Sequence, residues 1–92
     1  MIRSFRNHET EQLFRSGQSR PFQACARQAF QKLRMLEASS RLSDLAVLPG
    51  NRLEALKGDR KGQHSIRING QFRICFEWRD GDTYEVEVTD YH

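Results

Sequence analysis

Phe72-Arg73-Ile74-Cys75-Phe76-Glu77-Trp78-Arg79 alternates large apolar side chains with mostly polar ones over eight residues. A period of two marks a strand with one face in a core and the other turned away from it. Upstream, Gln63 to Ile68 alternates in the same way, with Ile66 and Ile68 on one face and Ser65 and Arg67 on the other. Downstream, Asp80-Gly81-Asp82 turns the chain into Tyr84-Glu85-Val86-Glu87-Val88. Leu53 to Lys57 reads as a further strand, separated from Gln63 by the turn Gly58-Asp59-Arg60-Lys61-Gly62. Strands that follow one another through short Gly-containing turns pair antiparallel.

The first half of the chain has a different period. Ile2 to Phe5 predicts a short opening strand, and His8 to Arg15 a helix closed by Gly17. Arg20-Pro21 starts a second helix, with the proline tolerated in the first turn. Phe22, Ala26, Ala29, Phe30, Leu33 and Leu36 give that helix a single apolar stripe, which Ser39 and Ser40 end. Leu42, Leu45 and Leu48 suggest one or two more helical turns before Pro49-Gly50. The fold class that follows is α+β: two N-terminal helices packed on the apolar face of a mainly antiparallel β-sheet, whose other face is open and polar.

Parity sets the pairing, because a slip of one residue sends every apolar side chain to the wrong face. For Ile74, Phe76 and Trp78 to share a face with Tyr84, Val86 and Val88, the loop must be the three residues Asp80-Gly81-Asp82. Trp78 then faces Tyr84, a core position is expected for Trp78, and Arg73 faces Thr89. Tyr91 falls on the Arg73 face, and Asp90 and His92 on the other. In the preceding hairpin the same logic asks for the three-residue loop Asn69-Gly70-Gln71, in preference to a two-residue Asn69-Gly70 turn. Arg67 then lies opposite Arg73. Like charges so opposed are unfavourable unless an anion sits between them or they turn toward neighbours such as Glu77 and Glu87.

At 92 residues the chain is one domain, 1–92, with a single modest core. No apolar run reaches the roughly 18 residues of a membrane span, and Met1-Ile2-Arg3-Ser4-Phe5-Arg6 lacks the apolar stretch of a signal peptide. Cys25 and Cys75 form no CxxC motif, which points to a reducing compartment, the cytoplasm. Residues 1–51 carry a net charge of +4, residues 52–73 another +4, and residues 74–92 a net −5. Twelve of the fifteen basic residues are arginine, whose planar fork matches phosphate better than an ammonium does. The acidic Glu77, Glu85 and Glu87 read as a solvated edge, or as a contact for a basic partner segment. His8, His64 and His92 are too scattered for a metal site, so no metal and no cofactor are expected. Cys75 reads as a small strand filler.

The ordered set Asn51-Arg52-Leu53-Glu54-Ala55-Leu56-Lys57-Gly58-Asp59-Arg60, Gly62-Gln63-His64-Ser65-Ile66-Arg67-Ile68-Asn69, Phe72-Arg73-Ile74-Cys75-Phe76 and Asp90-Tyr91-His92 resembles the HigB branch of the RelE-like toxins, also called plasmid-maintenance killer proteins. The opening Met1-Ile2-Arg3-Ser4-Phe5 fits as well. The resemblance implies a RelE-like fold and a toxin that cuts messenger RNA in the decoding site of the 70S ribosome. It also implies a HigA-like helix-turn-helix antitoxin, through which alone the pair would reach operator DNA. Carried over by position, Lys57, Arg73, Asp90, Tyr91 and His92 match the family's active-site positions. Glu54 departs from it: some members have a histidine there, so the carboxylate either serves as the base or leaves that role to others.

The chemistry of these side chains agrees with that implication. RNA cleavage needs a 2′-OH deprotonated, charge on the phosphate stabilised and the leaving oxygen protonated. Lys57 and Arg73 suit the phosphate, with Glu54 and Arg67 beside them as substrate-binding residues. His92 has the ordinary pKa, about 6.5, for general acid or base work. Asp90 would orient that imidazole, and Tyr91 would stack on an unpaired base. The alternative is a RelE-fold toxin or co-repressor that cuts no RNA, by ParE-like gyrase inhibition or by RNA binding alone. The joint presence of Lys57, Arg73 and His92 speaks against it.

Overall fold

Asn7 starts the first helix: its side-chain oxygen accepts the Thr10 N–H at 2.9 Å, satisfying a donor that has no partner within the helix. Gly17 ends it in the left-handed region (φ 76°), with its own N–H on the Leu13 carbonyl. This helix, α1, spans His8–Ser16 in a computed structural model that describes residues 1–90. Asp90 closes the described chain, so the expectations for Tyr91 and His92 lie outside it.

The second helix begins later than Arg20-Pro21 suggests. The Phe22 N–H is drawn onto the Ser19 hydroxyl and its ring packs edge-on against Phe72, at 6.0 Å between centroids. The chain therefore tightens through a 3-10 turn, Gln23–Cys25, before α2 runs Ala26–Ala38. A short α3, Leu42–Ala46, follows, its start fixed by Asp44, whose carboxylate accepts the Ser40 and Arg41 N–H groups. A 3-10 turn then occupies Pro49–Asn51.

The sheet is β1 (Glu54–Ala55), β2 (Gln63–Arg67), β3 (Phe72–Arg79) and β4 (Asp82–Asp90), antiparallel and in that spatial order. Leu13, Ala29, Leu33 and Leu36 from the helices bury against Ile66, Ile74, Phe76, Val86 and Val88, and Trp78 packs half-buried at the margin. The three-residue loop 69–71 is present: the Ile68 N–H reaches the Phe72 carbonyl at 2.9 Å, and Arg67 pairs with Arg73. The Asn69 side chain accepts the Gln71 and Phe72 N–H groups and so closes the loop.

The next hairpin differs from expectation at its tip. Arg79 pairs with Asp82 and Trp78 with Thr83, so the turn is the two residues Asp80-Gly81, both at positive φ (50° and 85°). Thr83, rather than Tyr84, then takes the core face and is fully buried. Tyr84 lies across from Glu77, with the Arg79 guanidinium 4.1 Å over its ring. Parity is restored by a bulge, where the register shifts between Cys75 and Glu77 and Glu85 takes a left-handed φ of 54°. Val86 and Val88 thereby point inward, and Arg73 faces Thr89 as expected.

The bulge also explains the opening strand. Residues 1–6 run parallel to β4, but only Ile2 and Phe5 make ladder bridges, to Thr83 and Val86. Between them the Ser4 hydroxyl accepts the bulged Glu85 N–H at 2.9 Å. Asp82 anchors this edge through Arg3 at 3.0 Å and the Met1 ammonium at 3.4 Å. The hydrogen bond from Arg3 holds the Asp82 carboxyl below the usual aspartate range. A depressed folded pKa means that the anchor is in place at neutral pH and is lost as pH falls through that lowered value. An NMR titration of Asp82 should therefore give a midpoint below the ordinary aspartate one, and Arg3→Ala should move it back up.

The candidate active site

The polar face of the sheet is not open at its β1 end. There the Arg52 carbonyl, Glu54 and Arg60 meet side chains of that face, and Ser65, Arg73 and Cys75 are buried, with Arg73 only 9% exposed. The expectation of a solvent-facing Arg73 is thus corrected. Alternation along β3 reports which face a side chain takes, not whether another segment covers that face.

Arg73 is held on two sides. Its Nε–H donates to the Ser65 hydroxyl at 2.9 Å, and its terminal NH₂ donates to the Arg52 carbonyl, also at 2.9 Å. The Glu54 carboxylate stands 3.6 Å from the same NH₂ group and is half exposed. Those contacts resolve the like-charge pair. Arg73 turns toward β1, while Arg67, half-buried on β2, reaches back over the hairpin loop toward Gly70. Neither arginine uses Glu77 or Glu87: Glu77 pairs with Arg79, and Glu87 with Arg60.

Beside Arg73 lies a cleft of about 410 Å³, lined by Glu54, Ala55, Leu56, Lys57, Arg60, Cys75 and Thr89. Glu54 reaches it from β1 and Lys57 from the point where the chain leaves the ladder. β1 is shorter than Leu53 to Lys57 because Arg52 enters it in the left-handed region (φ 44°) and Gly58 (φ 65°) turns the chain away. The 3-10 turn Gly58–Arg60 then places Arg60 three residues after Lys57, on the same rim. Arg60 spans the cleft, with one nitrogen 3.0 Å from Gln63 Oε1 on β2 and 3.0 Å from Glu87 Oε1 on β4. Glu87 is therefore a clamp for this rim rather than part of a solvated edge. Cys75 and Thr89 form the floor, the threonine hydroxyl 3.6 Å from the thiol sulfur.

Of the expected site residues, Glu54 stands against Arg73 and lines the cleft together with Lys57. Asp90 is not among them: it pairs with Phe72 in the ladder, so it takes the face opposite Arg73, exposed, with its carboxylate accepting the Gln71 amide at 3.1 Å. Sequence reasoning missed Arg60, although its spacing of three from Lys57 in a Gly-flanked turn was a usable signal. It also passed over Thr89, while Cys75, read as a small strand filler, is indeed buried in the sheet. Among the described residues, no three His, Cys, Asp or Glu side chains converge on a point that would hold a metal ion. Nor is any helix there long and apolar enough to cross a membrane.

Helices thus pack on one face of a four-stranded antiparallel sheet, and a cleft bearing Lys57, Arg60 and Glu54 lies on the other. The fold is similar over the whole chain to a chain of the YoeB–YefM complex from Staphylococcus aureus, with a TM-score of 0.55 at 21% identity, covering 98% of that chain. A model described as the RelE-like toxin of the type II toxin–antitoxin system HigB matches residues 3–92, and the chain belongs to that family. It is 33% identical over 98 aligned positions, the full length of both chains, to the endoribonuclease HigB of Proteus vulgaris. It is 52% identical to toxin HigB-1 of Vibrio cholerae over 52 residues, which are 56% of this chain and 55% of that relative.

Proposed function

We propose that the chain is an endoribonuclease toxin that cuts messenger RNA in the decoding site of the ribosome, without a metal, in the cytoplasm. A HigA-like helix-turn-helix antitoxin neutralises it, and operator DNA is bound through that complex. The observation that carries this reading is the buried guanidinium of Arg73, fixed by Ser65 and Arg52 beside a cleft whose rim bears Lys57, Arg60 and Glu54. Cations already in place stabilise charge developing on a phosphate without reorganising during the reaction. The Proteus relative's name, endoribonuclease, supports it too.

In the proposed reaction the ribose 2′-oxygen attacks the adjacent phosphorus and gives up its proton to a base. The phosphorus–5′-oxygen bond breaks, and that oxygen takes a proton from an acid. Arg73 and Lys57 carry the added negative charge, and Arg67 contacts the flanking backbone. Glu54 and His92 are the groups for proton transfer, and Tyr91 stacks on a base.

A domain of net charge +3 has a small electrostatic hold on RNA, so the ribosome must supply the geometry. In a purified translation system the chain should cut programmed message far faster than the same RNA free in solution. Cutting should persist when added zinc, manganese and calcium are withheld and only ribosomal magnesium is kept. Equal rates on free and ribosome-bound RNA contradict ribosome dependence; no cutting of either contradicts the nuclease reading.

A further inference from the structure

Since the Arg52 carbonyl holds one side of the Arg73 guanidinium, the direction of that carbonyl sets where the guanidinium lies. Arg52 has φ 44° and ψ 52°, a region that residues with side chains keep only where their surroundings over-determine it. The surroundings here are built around Asn51, which is fully buried. Its amide nitrogen donates to the Leu45 carbonyl at 3.0 Å and approaches the Met35 sulfur at 3.2 Å. Its amide oxygen accepts from the Lys32 ammonium, which reaches across from α2. The backbone N–H groups of Asn51 and Arg52 close the turn on Leu48 and Pro49.

Lys32 is an odd choice for stability alone. It is half-buried, burial lowers its pKa, and among the described residues it makes no ion pair. An ammonium taken out of water to meet a neutral amide is a poor stabiliser beside an apolar side chain of similar volume. It does give a strong, directional hold on Asn51. We infer that Lys32 and Asn51 are positioning residues, which fix the Arg52 carbonyl and through it the Arg73 guanidinium. The inference rests on Arg73 acting on the phosphate, as proposed above, but its first readout does not.

Lys32→Met in the full chain tests it. By NMR, the Arg73 Nε–H signal should shift and exchange faster with water, while the methyl signals of Ile74 and Val88 stay in place. Cutting of ribosome-bound message should fall roughly 10- to 100-fold, in kcat more than in KM, as expected for a misplaced catalytic group. The unfolding midpoint should move little, because losing a partly buried charge offsets leaving the Asn51 amide oxygen without its donor. Lys32→Arg, which keeps a charged donor, should restore both the signal and the rate. Should Lys32→Met fail to fold, Lys32→Gln takes the same readouts. An unchanged Arg73 signal overturns the inference whatever the nuclease does, and so does a moved signal with unchanged cutting. A wild-type chain that cuts nothing removes the nuclease reading and leaves the NMR signal to judge the positioning.

Discussion

Arg73→Lys should cut ribosome-bound message about 10²- to 10³-fold more slowly than wild type, the usual loss when one donor to a developing oxyanion is removed. Lysine keeps the positive charge, but its single ammonium does not reproduce the three-way placement by Ser65, the Arg52 carbonyl and Glu54. Arg73→Ala should lose at least as much activity and also lose stability. The side chain is buried, and its removal leaves the Ser65 hydroxyl and the Arg52 carbonyl short of a partner, at about 1–3 kcal/mol. The two effects separate by measurement: single-turnover cutting reports the first, and urea unfolding of both variants reports the second. A lysine variant that cuts at the wild-type rate would remove Arg73 from the chemistry.

Deleting His92 should cost about 10²- to 10⁴-fold in rate, the range for loss of a general acid or base. The core lies between Leu13 and Val88, so urea unfolding should be unchanged. The pH profile should change as well: the limb contributed by this imidazole should vanish with the residue. If the shortened chain keeps its rate, proton transfer belongs to Glu54 and Lys57 instead. These two already share the cleft rim.

What the sequence made legible follows the range of the forces involved. The alternation in Phe72–Arg79 and Gln63–Arg67 is local, and it correctly placed both strands, the loop 69–71 and the Arg67–Arg73 pair. Strict parity failed at Asp80-Gly81, where turn chemistry chose two residues and a bulge at Glu85 absorbed the difference. A bulge stabilised by Ser4, from the other end of the chain, leaves no mark in the period of β4. The cover over Arg73 was hidden for the same reason. It comes from a segment whose path depends on a left-handed Arg52 and a buried Asn51, neither of which has a periodic signature. Of the candidate site, Glu54 and Lys57 share one cleft and Glu54 stands against Arg73, whereas Arg60 emerged only when its partners on β2 and β4 were seen.

The claim that this toxin acts by cutting translated message is tested most directly by mapping RNA ends in cells after a brief pulse of its expression without antitoxin. Primer extension across a translated reporter should show new 5′ ends inside the reading frame. Those ends should be absent for Arg73→Lys and absent when the reporter's start codon is removed. Growth arrest with every message intact would contradict the account, and would mean a RelE-like toxin that acts without cutting RNA.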